Sequence, residues 1–290
     1  MVFINSEGKF NENSYMIDGN IYEMKGGLSL YVIDNNGERL LIDTSTEDQA
    51  EYIITKMKEF GIFPVQKILL THSHWDHMQG VGELIKMMGG VDVEVLASEK
   101  AIDNLKDPRY MNDPFDVPAK PVEDVIPLTE GDLIDLNGLK LRVINLFGHS
   151  MDSIAILDEK NKNLFVGDAI KRKDFDTFSP LFMPPDFNEL ALLNTFQKLR
   201  DMGNKLNSLS LSHYGIWTDE DCHKLLGEME SLHHKTKESI IKWYNENPSV
   251  EYLSKKFIET YIPNSSKTVE EMQNSMGWLI KGLKMSGFIL

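Results

Sequence analysis

Three histidines and one aspartate lie within six consecutive residues, directly after an apolar run, and this segment constrains the fold more than any other. The segment spans residues 71–77 and reads Thr-His-Ser-His-Trp-Asp-His, and the apolar run before it spans residues 67–70. Burying several unpaired polar side chains together would cost on the order of 1–3 kcal/mol each. A divalent metal ion bound by these side chains removes that cost. The segment therefore predicts a metal site at the end of a buried strand.

The composition is that of a soluble globular protein. The chain has 290 residues, of which 41% are apolar and 26% are charged, so we expect one large domain with an appendage. No apolar stretch approaches the roughly 20 residues that span a bilayer, so no membrane segment is predicted. Residues 1–7 lack a basic region followed by an apolar one, and we therefore expect no secretory signal.

The single cysteine and the acidic charge bear on location, metal ligands and partners. Cys222 fits a reducing compartment, which favours a cytoplasmic location, and a lone cysteine excludes thiolate-rich zinc sites. Nitrogen and oxygen atoms must then hold any metal. A net charge of −15 disfavours a nucleic-acid partner, although bound cations would offset this locally. A small-molecule substrate is therefore expected, and the sequence leaves a homodimer open.

The first two thirds of the chain alternate short strand-like runs with helical stretches, which favours an α/β fold. The predicted strands are residues 28–33, 39–42, 67–70, 93–97, 139–144, 153–157, 163–166 and 206–211, and the predicted helices are residues 48–60, 81–88 and 187–202. Five prolines between residues 106 and 127 predict a long irregular excursion. Within it, Tyr110, Met111 and Phe115 either line a substrate cleft or pack the loop itself.

Helical spacing dominates the chain after Trp217. Thr218 is a candidate N-cap for a long helix that ends before Pro248, and a shorter helical stretch follows. A capping box at residues 268–271 opens a third helix. We therefore predict two domains, residues 1–217 and a helical module of residues 218–290.

Three later apolar runs also end in one candidate metal ligand, in two cases directly after a glycine. These candidates are His149, Asp168 and His213. Taken alone, each such histidine is more often an ordinary surface or core residue, and a Gly-Asp pair is most often a turn. In layered α/β folds, however, the loops after strands gather at one sheet edge, where they would meet residues 71–77. The joint pattern therefore favours one shared metal site.

The order of these motifs resembles the metallo-β-lactamase superfamily of hydrolases over roughly residues 20–216. The pattern is His-x-His-x-Asp-His, followed by Gly-His-Ser, Gly-Asp and Ser-His. The resemblance implies an α/β fold, the four-layer αββα sandwich, with metals at one edge of the paired sheets. It implies one ion on His72, His74 and His149, a second ion on Asp76, His77 and His213, and Asp168 as the bridge between them. Asp43, at the end of an early strand, would support the ligands.

The expected chemistry is hydrolysis at a dinuclear centre. Two ions roughly 3.5–4 Å apart can share and activate a bridging hydroxide. Nitrogen and oxygen ligands suit zinc, with iron or manganese as alternatives. We expect cleavage of a small ester, thioester or lactone, with Asp76 and Asp168 in the catalytic centre. Tyr214 would either donate a hydrogen bond to the developing oxyanion or pack the wall.

Other functions remain as alternatives. Asp168 stands where penicillin-hydrolysing members carry a cysteine, and His74 stands where flavodiiron relatives carry a glutamate, so both of those activities are disfavoured. The tail resembles either a winged-helix-type module or the helical tail of glyoxalase II, whose glycine- and cysteine-containing segment is replaced here by residues 171–174. That basic segment is either a solvated turn or an anion site. A phosphodiesterase or nuclease, and a non-catalytic ligand sensor, remain open.

Overall fold

The protein consists of two facing β-sheets with helices on both outer surfaces. The computed structural model describes residues 3–171, the backbone of residues 173–174 and 177–178, and residues 179–290. In chain order the strands are β1 (Phe3–Ile4), β2 (Gly8–Lys9), β3 (Ser14–Asp18), β4 (Ser29–Asn35), β5 (Glu38–Ile42), β6 (Lys67–Leu70), β7 (Glu94–Ser98), β8 (Val125–Leu128), β9 (Leu133–Leu136), β10 (Leu139–Asn145), β11 (Ile154–Asp158), β12 (Asn163–Phe165), β13 (Lys173–Asp174), β14 (Thr177–Phe178), β15 (Ser208–Ser210) and β16 (Ile216–Thr218).

The helices fall into two groups along the chain. Those before the midpoint are α1 (Ala50–Glu59), α2 (Trp75–Met78), α3 (Val81–Met87), α4 (Ile102–Lys106) and α5 (Arg109–Asn112). Those after it are α6 (Glu189–Met202), α7 (Asp219–Glu246), α8 (Val250–Tyr261) and α9 (Val269–Met285). In the described part of the chain, no helix is both long and apolar enough to cross a membrane.

Each large sheet has seven strands. The first has the order β2-β3-β4-β5-β6-β7-β8 and the second the order β1-β16-β15-β12-β11-β10-β9, while β13 and β14 form a separate ribbon. The predicted hairpin is present as β4 and β5, and its turn places Asn36 and Gly37 at φ values of 55° and 88°. Two consecutive positive φ values are typical of a tight hairpin turn. From β5 to β8 the strands run parallel, because helical segments connect them.

Three apolar clusters fill the spaces between the layers. Between the sheets, side chains of both sheets interlock, as Tyr31 and Leu69 do with Phe165. On the outer face of the first sheet, α1 and α3 bury Ile53 and Leu84. The third cluster joins the outer face of the second sheet to α6, α7, α8 and α9. The predicted αββα sandwich is therefore confirmed.

The C-terminal helices share their apolar core with the second sheet. Leu164 and Leu209 of the sheet belong to the same buried cluster as Leu225 of α7 and Met276 of α9. The predicted capping box is present, with Thr268 and Glu271 bonded to each other's backbone. Residues 219–290, all of which the structure describes, form helices and loops without a strand, so the winged-helix alternative lacks its hairpin. The division at residues 217 and 218 stays a prediction.

One part of the predicted irregular excursion is regular. Residues 125–128 form β8, which pairs in parallel with β7 at the edge of the first sheet. Pro127 is tolerated there because an edge strand needs no hydrogen bond from every residue. The remainder, residues 106–124, begins at the last residue of α4 and otherwise consists of the short helix α5, a 3₁₀ turn and loops, as the prolines predicted.

We expect His233 of α7 to make stability depend on pH. Burial lowers the pKa of His233 to about 4, although Glu189 beside it acts in the opposite direction. The unfolded chain takes up this proton near pH 6.5, so the free energy of unfolding falls as pH drops from about 6.5 to 4. For metal-free protein, His233→Gln should lose about 2 kcal/mol less than wild type between pH 7 and pH 5, measured by urea unfolding.

The matched control is His223→Gln, because His223 is exposed on the same helix. That variant should lose as much stability as wild type over this pH interval. Equal losses of unfolding free energy in wild type and His233→Gln would contradict the assignment of this pH dependence to His233.

Candidate metal centre

All the predicted ligand segments follow strands that end at the same edge of the sandwich. In the first sheet, Asp43 follows β5 and residues 71–77 follow β6, and these two strands are parallel. In the second sheet, β12 and β15 are parallel, and β10 shares their direction because β11 runs antiparallel to both β10 and β12. His149, Asp168 and His213 follow these three strands. The sheet topology therefore brings the five segments together.

Contacts between the sheets fix these loops. The amide of Ile154 donates to the carbonyl of Thr71 at 2.9 Å. The buried hydroxyl of Tyr31 donates to the carbonyl of Leu211 at 2.7 Å, two residues before His213. Gly167 has a φ of 55°, and a Cβ added there would lie 2.9 Å from the Thr71 side chain. Glycine therefore lets the Asp168 loop approach the first motif closely.

One group of donor atoms consists of three buried imidazoles. His72 Nε2 lies 3.0 Å from His74 Nδ1, and His149 Nε2 lies 3.1 Å from the same atom. The three residues are 3% exposed or less. Imidazole nitrogens that converge in this way offer one face of three ligands to an ion.

A second group lies beside the first. Asp76 Oδ2 is 3.6 Å from His77 Nε2 and 3.4 Å from His213 Nε2. Asp168 stands between the two groups, because its Oδ2 is 3.3 Å from His149 Nε2 and 3.2 Å from His213 Nε2. The other oxygen, Oδ1, is 3.5 Å from His77 Nε2. The structure thus brings together all seven residues that the sequence singled out as ligands.

These residues fit divalent metal ions. Ligand atoms bound 2.0–2.1 Å from one tetrahedral ion lie about 3.3 Å from one another, and the distances above bracket that value. Among the described residues, His77 Nε2, His213 Nε2 and Asp168 Oδ1 are buried without a hydrogen-bond partner. Buried polar atoms rarely lack partners, so their convergence indicates a site for cations.

The outer nitrogen of four imidazoles is held by a hydrogen bond to the protein. His77 Nδ1 donates to Asp43 at 2.8 Å, and His72 Nδ1 donates to the Thr71 hydroxyl at 3.2 Å. The carbonyls of Leu181 and Gly27 accept from His149 and His213, each at 2.9 Å. Because the outer nitrogen carries the proton, the inner nitrogen presents its lone pair to the site.

Asp43 connects several of these elements. It is fully buried and accepts from the amide and the hydroxyl of Thr71 at 2.8 and 2.9 Å. It also accepts from His77 and, at 3.3 Å, from the hydroxyl of Ser212. It contacts segments from both sheets without reaching the cavity, and its supporting role stays a prediction.

The pKa values of the imidazoles differ between the two groups. Burial lowers the pKa of His72 and His149 well below the ordinary value, and burial lowers the pKa of His74 to about 4. Burial also acts to lower the pKa of His77, but Asp76, Asp43 and Asp168 outweigh it and raise that pKa to about 10. Asp168 outweighs burial in the same way at His213, where the pKa rises to about 8. Ions binding to the second group at neutral pH must therefore displace protons.

Lys171 corrects one interpretation of the sequence. The solvated-turn interpretation of residues 171–174 is wrong for this residue, because Lys171 is 8% exposed and its Nζ lies 2.8 Å from Asp168 Oδ2. The side chains of residues 172–174 lie outside the described residues. The only signal in the sequence was the position of Lys171, three residues after Asp168.

Tyr214 does not reach the metal cavity. It packs in the cluster between the sheets, and its hydroxyl faces Asp18 in a neighbouring cavity. Gly26 lies against its ring. His213 therefore points to the other ligands, whereas the next side chain points away from them. The wall-packing alternative describes Tyr214 better than the role of oxyanion donor does.

A cavity of about 340 Å³ opens directly above the donor atoms. His74, Asp76, His149, Asp168 and His213 form its floor. Of the three residues considered in the excursion, Phe115 lines the cavity, Met111 is buried in the loop, and Tyr110 is 59% exposed. Of these three residues, only Phe115 therefore lines a cleft, and the other two do not.

A third cluster of potential ligands lies away from this cavity. Glu189 approaches His233 and His234, but the ammonium of Lys237 contacts the same glutamate oxygen. A protein cation thus already balances this carboxylate. Because His233 is buried against Glu189, its substitution would disturb packing, and the exposed His223 is the better control.

The chain is similar to several known proteins. A family model described as the metallo-beta-lactamase superfamily matches residues 26–213. An atrochrysone carboxyl ACP thioesterase of Cryptosporiopsis sp. (strain 8999) is 28% identical over 146 residues, which are 50% of this chain and 38% of that protein. A probable metallo-hydrolase of Streptococcus pyogenes serotype M6 is 30% identical over 152 residues, which are 51% of this chain and 63% of that protein.

A solved structure extends the likeness to the whole chain. The crystal structure of an archaeal metallo-beta-lactamase superfamily protein from Sulfolobus tokodaii matches with a TM-score of 0.64 and 17% identity. It covers 95% of this chain and 99% of that chain, so the likeness in fold includes the C-terminal helices. The two sequence relatives are matched over less than two thirds of their length.

We expect Asp43→Asn to weaken metal binding. An amide nitrogen in place of Oδ2 cannot accept from His77, so this imidazole loses its fixed tautomer and orientation. Such supporting residues typically contribute about 10- to 100-fold in metal affinity. Competition with a chromophoric zinc chelator measures the change. Asp158→Asn is the control, because Asp158 is a buried aspartate far from the metal ligands whose carboxylate accepts from the turn residues Lys160 and Asn161. Unchanged affinity in Asp43→Asn would contradict the supporting role.

Proposed function

Since the chain belongs to the metallo-β-lactamase superfamily, we propose that it is a metal-dependent hydrolase of ester-type bonds, with a thioester as the leading substrate. The observation that carries the proposal is the convergence of seven imidazole and carboxylate ligand residues below one cavity, whose floor five of them form. The relative named as an ACP thioesterase supports the thioester, and the relative named as a metallo-hydrolase supports hydrolysis in general. A small ester or a lactone remains within the same substrate class.

In this proposal the chain holds two divalent ions. His72, His74 and His149 would bind one ion, Asp76, His77 and His213 would bind the second, and Asp168 would bridge them. Zinc is the leading candidate for this set of nitrogen and oxygen donors, with iron or manganese as alternatives. The bound ions would supply Lewis acidity and an activated water nucleophile.

The side chains of the site carry charges of both signs. Asp76 and Asp168 are the two carboxylates on the cavity floor, and His213 and other cations hold the pKa of Asp168 well below its ordinary value against the effect of burial. His77 and His213 likewise hold the pKa of Asp76 below its ordinary value against the effect of burial, so both carboxylates remain ionised at neutral pH. The ammonium of Lys171, beside Asp168, adds a positive charge at the place where an ester carbonyl would develop negative charge.

The shape of the cavity disfavours the nuclease alternative. Most of the wall above the donors is apolar and includes Trp75, Phe115 and Trp278. A nucleic-acid strand needs a basic track along its phosphates, and the net charge of −15 disfavours one. The ligand-sensor alternative has no observation in its favour, because the donor set is complete. A homodimer and a cytoplasmic location stay predictions.

The proposal predicts hydrolysis of thioesters that depends on the metal. Zinc-reconstituted protein should hydrolyse an acyl N-acetylcysteamine thioester faster than bis(p-nitrophenyl) phosphate, as followed by thiol release and by nitrophenolate absorbance. Removal of zinc with a chelator should abolish the activity, and added zinc should restore it. Faster hydrolysis of the phosphodiester, or thioester hydrolysis that survives complete removal of the metal, would contradict the proposal.

Asp168→Ala should remove both activity and metal. Without this carboxylate the two cations face each other with less compensating charge, so we expect a loss of at least about 100-fold in kcat/KM. Elemental analysis should give close to two ions per chain for wild type and fewer for the variant. His223→Ala, an exposed histidine on α7, is the control and should match wild type. Full activity in Asp168→Ala would exclude the bridge.

A further inference from the structure

The metal cavity has an apolar roof made by the C-terminal helices. Phe257 of α8 and Met272, Trp278 and Leu279 of α9 face the donor atoms across the cavity. Away from the donors, the polar side chains of the lining are few, and they are Lys171, Ser179, Lys267 and Ser275. A space of about 340 Å³ lies at the lower end of the range typical of small-ligand sites. One substituent of the substrate must therefore be apolar and of modest size.

Aromatic rings continue from the metal ligands into this roof. The ring centroid of Phe115 lies 5.1 Å from that of His74 and 5.3 Å from that of Trp278. Trp278 also meets Trp75, at 6.3 Å and an interplanar angle of 63°. The group bonded to a carbonyl above His74 would therefore contact Phe115 and Trp278 first. Edge-to-face surfaces of this kind favour apolar and especially aromatic guests.

The roof is seated firmly on the body of the protein. At Gly282 of α9, an added Cβ would lie 2.2 Å from the carbonyl oxygen of Phe182. The helix therefore packs directly on the backbone of residues 181–183, and only glycine permits this approach. Lys281 donates to the carbonyl of Pro114 at 2.6 Å, which ties the same helix to the loop that carries Phe115. The position of the roof is thus fixed relative to the cavity floor.

We propose that α8 and α9 form a pocket for an apolar acyl group, so that the preferred substrates are thioesters of acyl groups larger than acetyl. This inference rests on the proposed thioester hydrolysis. The thiol side of a carrier-bound or coenzyme thioester is long and polar and must extend to solvent, past the exposed Lys267 at the rim. The apolar space beneath the roof is then left for the acyl side.

The test compares two acyl groups on the same thiol. Zinc-reconstituted wild type receives the N-acetylcysteamine thioesters of acetate and phenylacetate, and each kcat/KM is divided by the hydroxide-catalysed rate of that thioester. We expect phenylacetyl to be preferred by about tenfold or more, since a few carbons in an apolar pocket typically give that discrimination. Trp278→Ala should reduce this preference by about tenfold, with the zinc content unchanged.

A pair of glycine variants in α9 tests whether the position of this helix determines the preference for phenylacetyl. Gly282→Ala must displace the helix from Phe182 and should weaken the preference for phenylacetyl. Gly277→Ala is the matched control, because an added Cβ there meets no atom within 4 Å, and it should keep the wild-type preference. Both changes replace glycine by alanine in the same helix, so they raise helix propensity alike.

Binding of the product acids separates this inference from the proposed function. Calorimetry should show that wild type binds phenylacetate more tightly than acetate and that Trp278→Ala loses the difference. If wild type hydrolyses neither thioester but still binds phenylacetate preferentially, the proposed function fails and the apolar pocket stands. If it hydrolyses both thioesters equally and Trp278→Ala changes neither the ratio nor the binding, the pocket assignment is overturned while the hydrolase remains.

Discussion

The approach of imidazole nitrogens and carboxylate oxygens to within 3.0–3.6 Å of one another is the constraint on which the structure depends. These groups follow strands of both sheets and most of them are buried, so the buried ones are stable only if a cation or a fixed hydrogen bond satisfies each of them. The fold supplies hydrogen bonds on the outer side of four of the five rings, with Asp43 between the two sheets. On the inner side the donor atoms face each other, which leaves a place for metal ions.

The C-terminal helices depend on the same region. The backbone of residues 181–183 carries the carbonyl of Leu181, which orients His149, and it also supports α9 at Gly282. Met183, in the same short segment, lines the cavity. The roof and one metal ligand are therefore positioned by one stretch of chain, so a shift of α9 would reach His149 through Leu181. The C-terminal helices therefore contribute to the position of one metal ligand.

The sequence predicts most of this arrangement because the motifs occupy regular positions. The apolar run before residues 71–77 forms β6 within its predicted bounds, and the loops of His149, Asp168 and His213 follow strands as expected. Side-chain direction is harder to predict. Tyr214 follows His213 directly but turns towards Asp18, and Lys171, in a segment of charged residues, is buried against Asp168. Tertiary packing determines the direction of both side chains, and neither the charge nor the periodicity of the sequence indicates that direction. The strand β8 was missed because Pro127 is tolerated only where the strand lies at a sheet edge.

Anomalous diffraction from crystals of the zinc-reconstituted protein, recorded on both sides of the zinc absorption edge, tests the central claim most directly. The account predicts two peaks, one bounded by His72, His74 and His149 and the other by Asp76, His77 and His213, with Asp168 between them. A single peak in this cavity after full reconstitution would contradict the dinuclear centre. Zinc found only beside Glu189 and His233 would contradict the site as a whole.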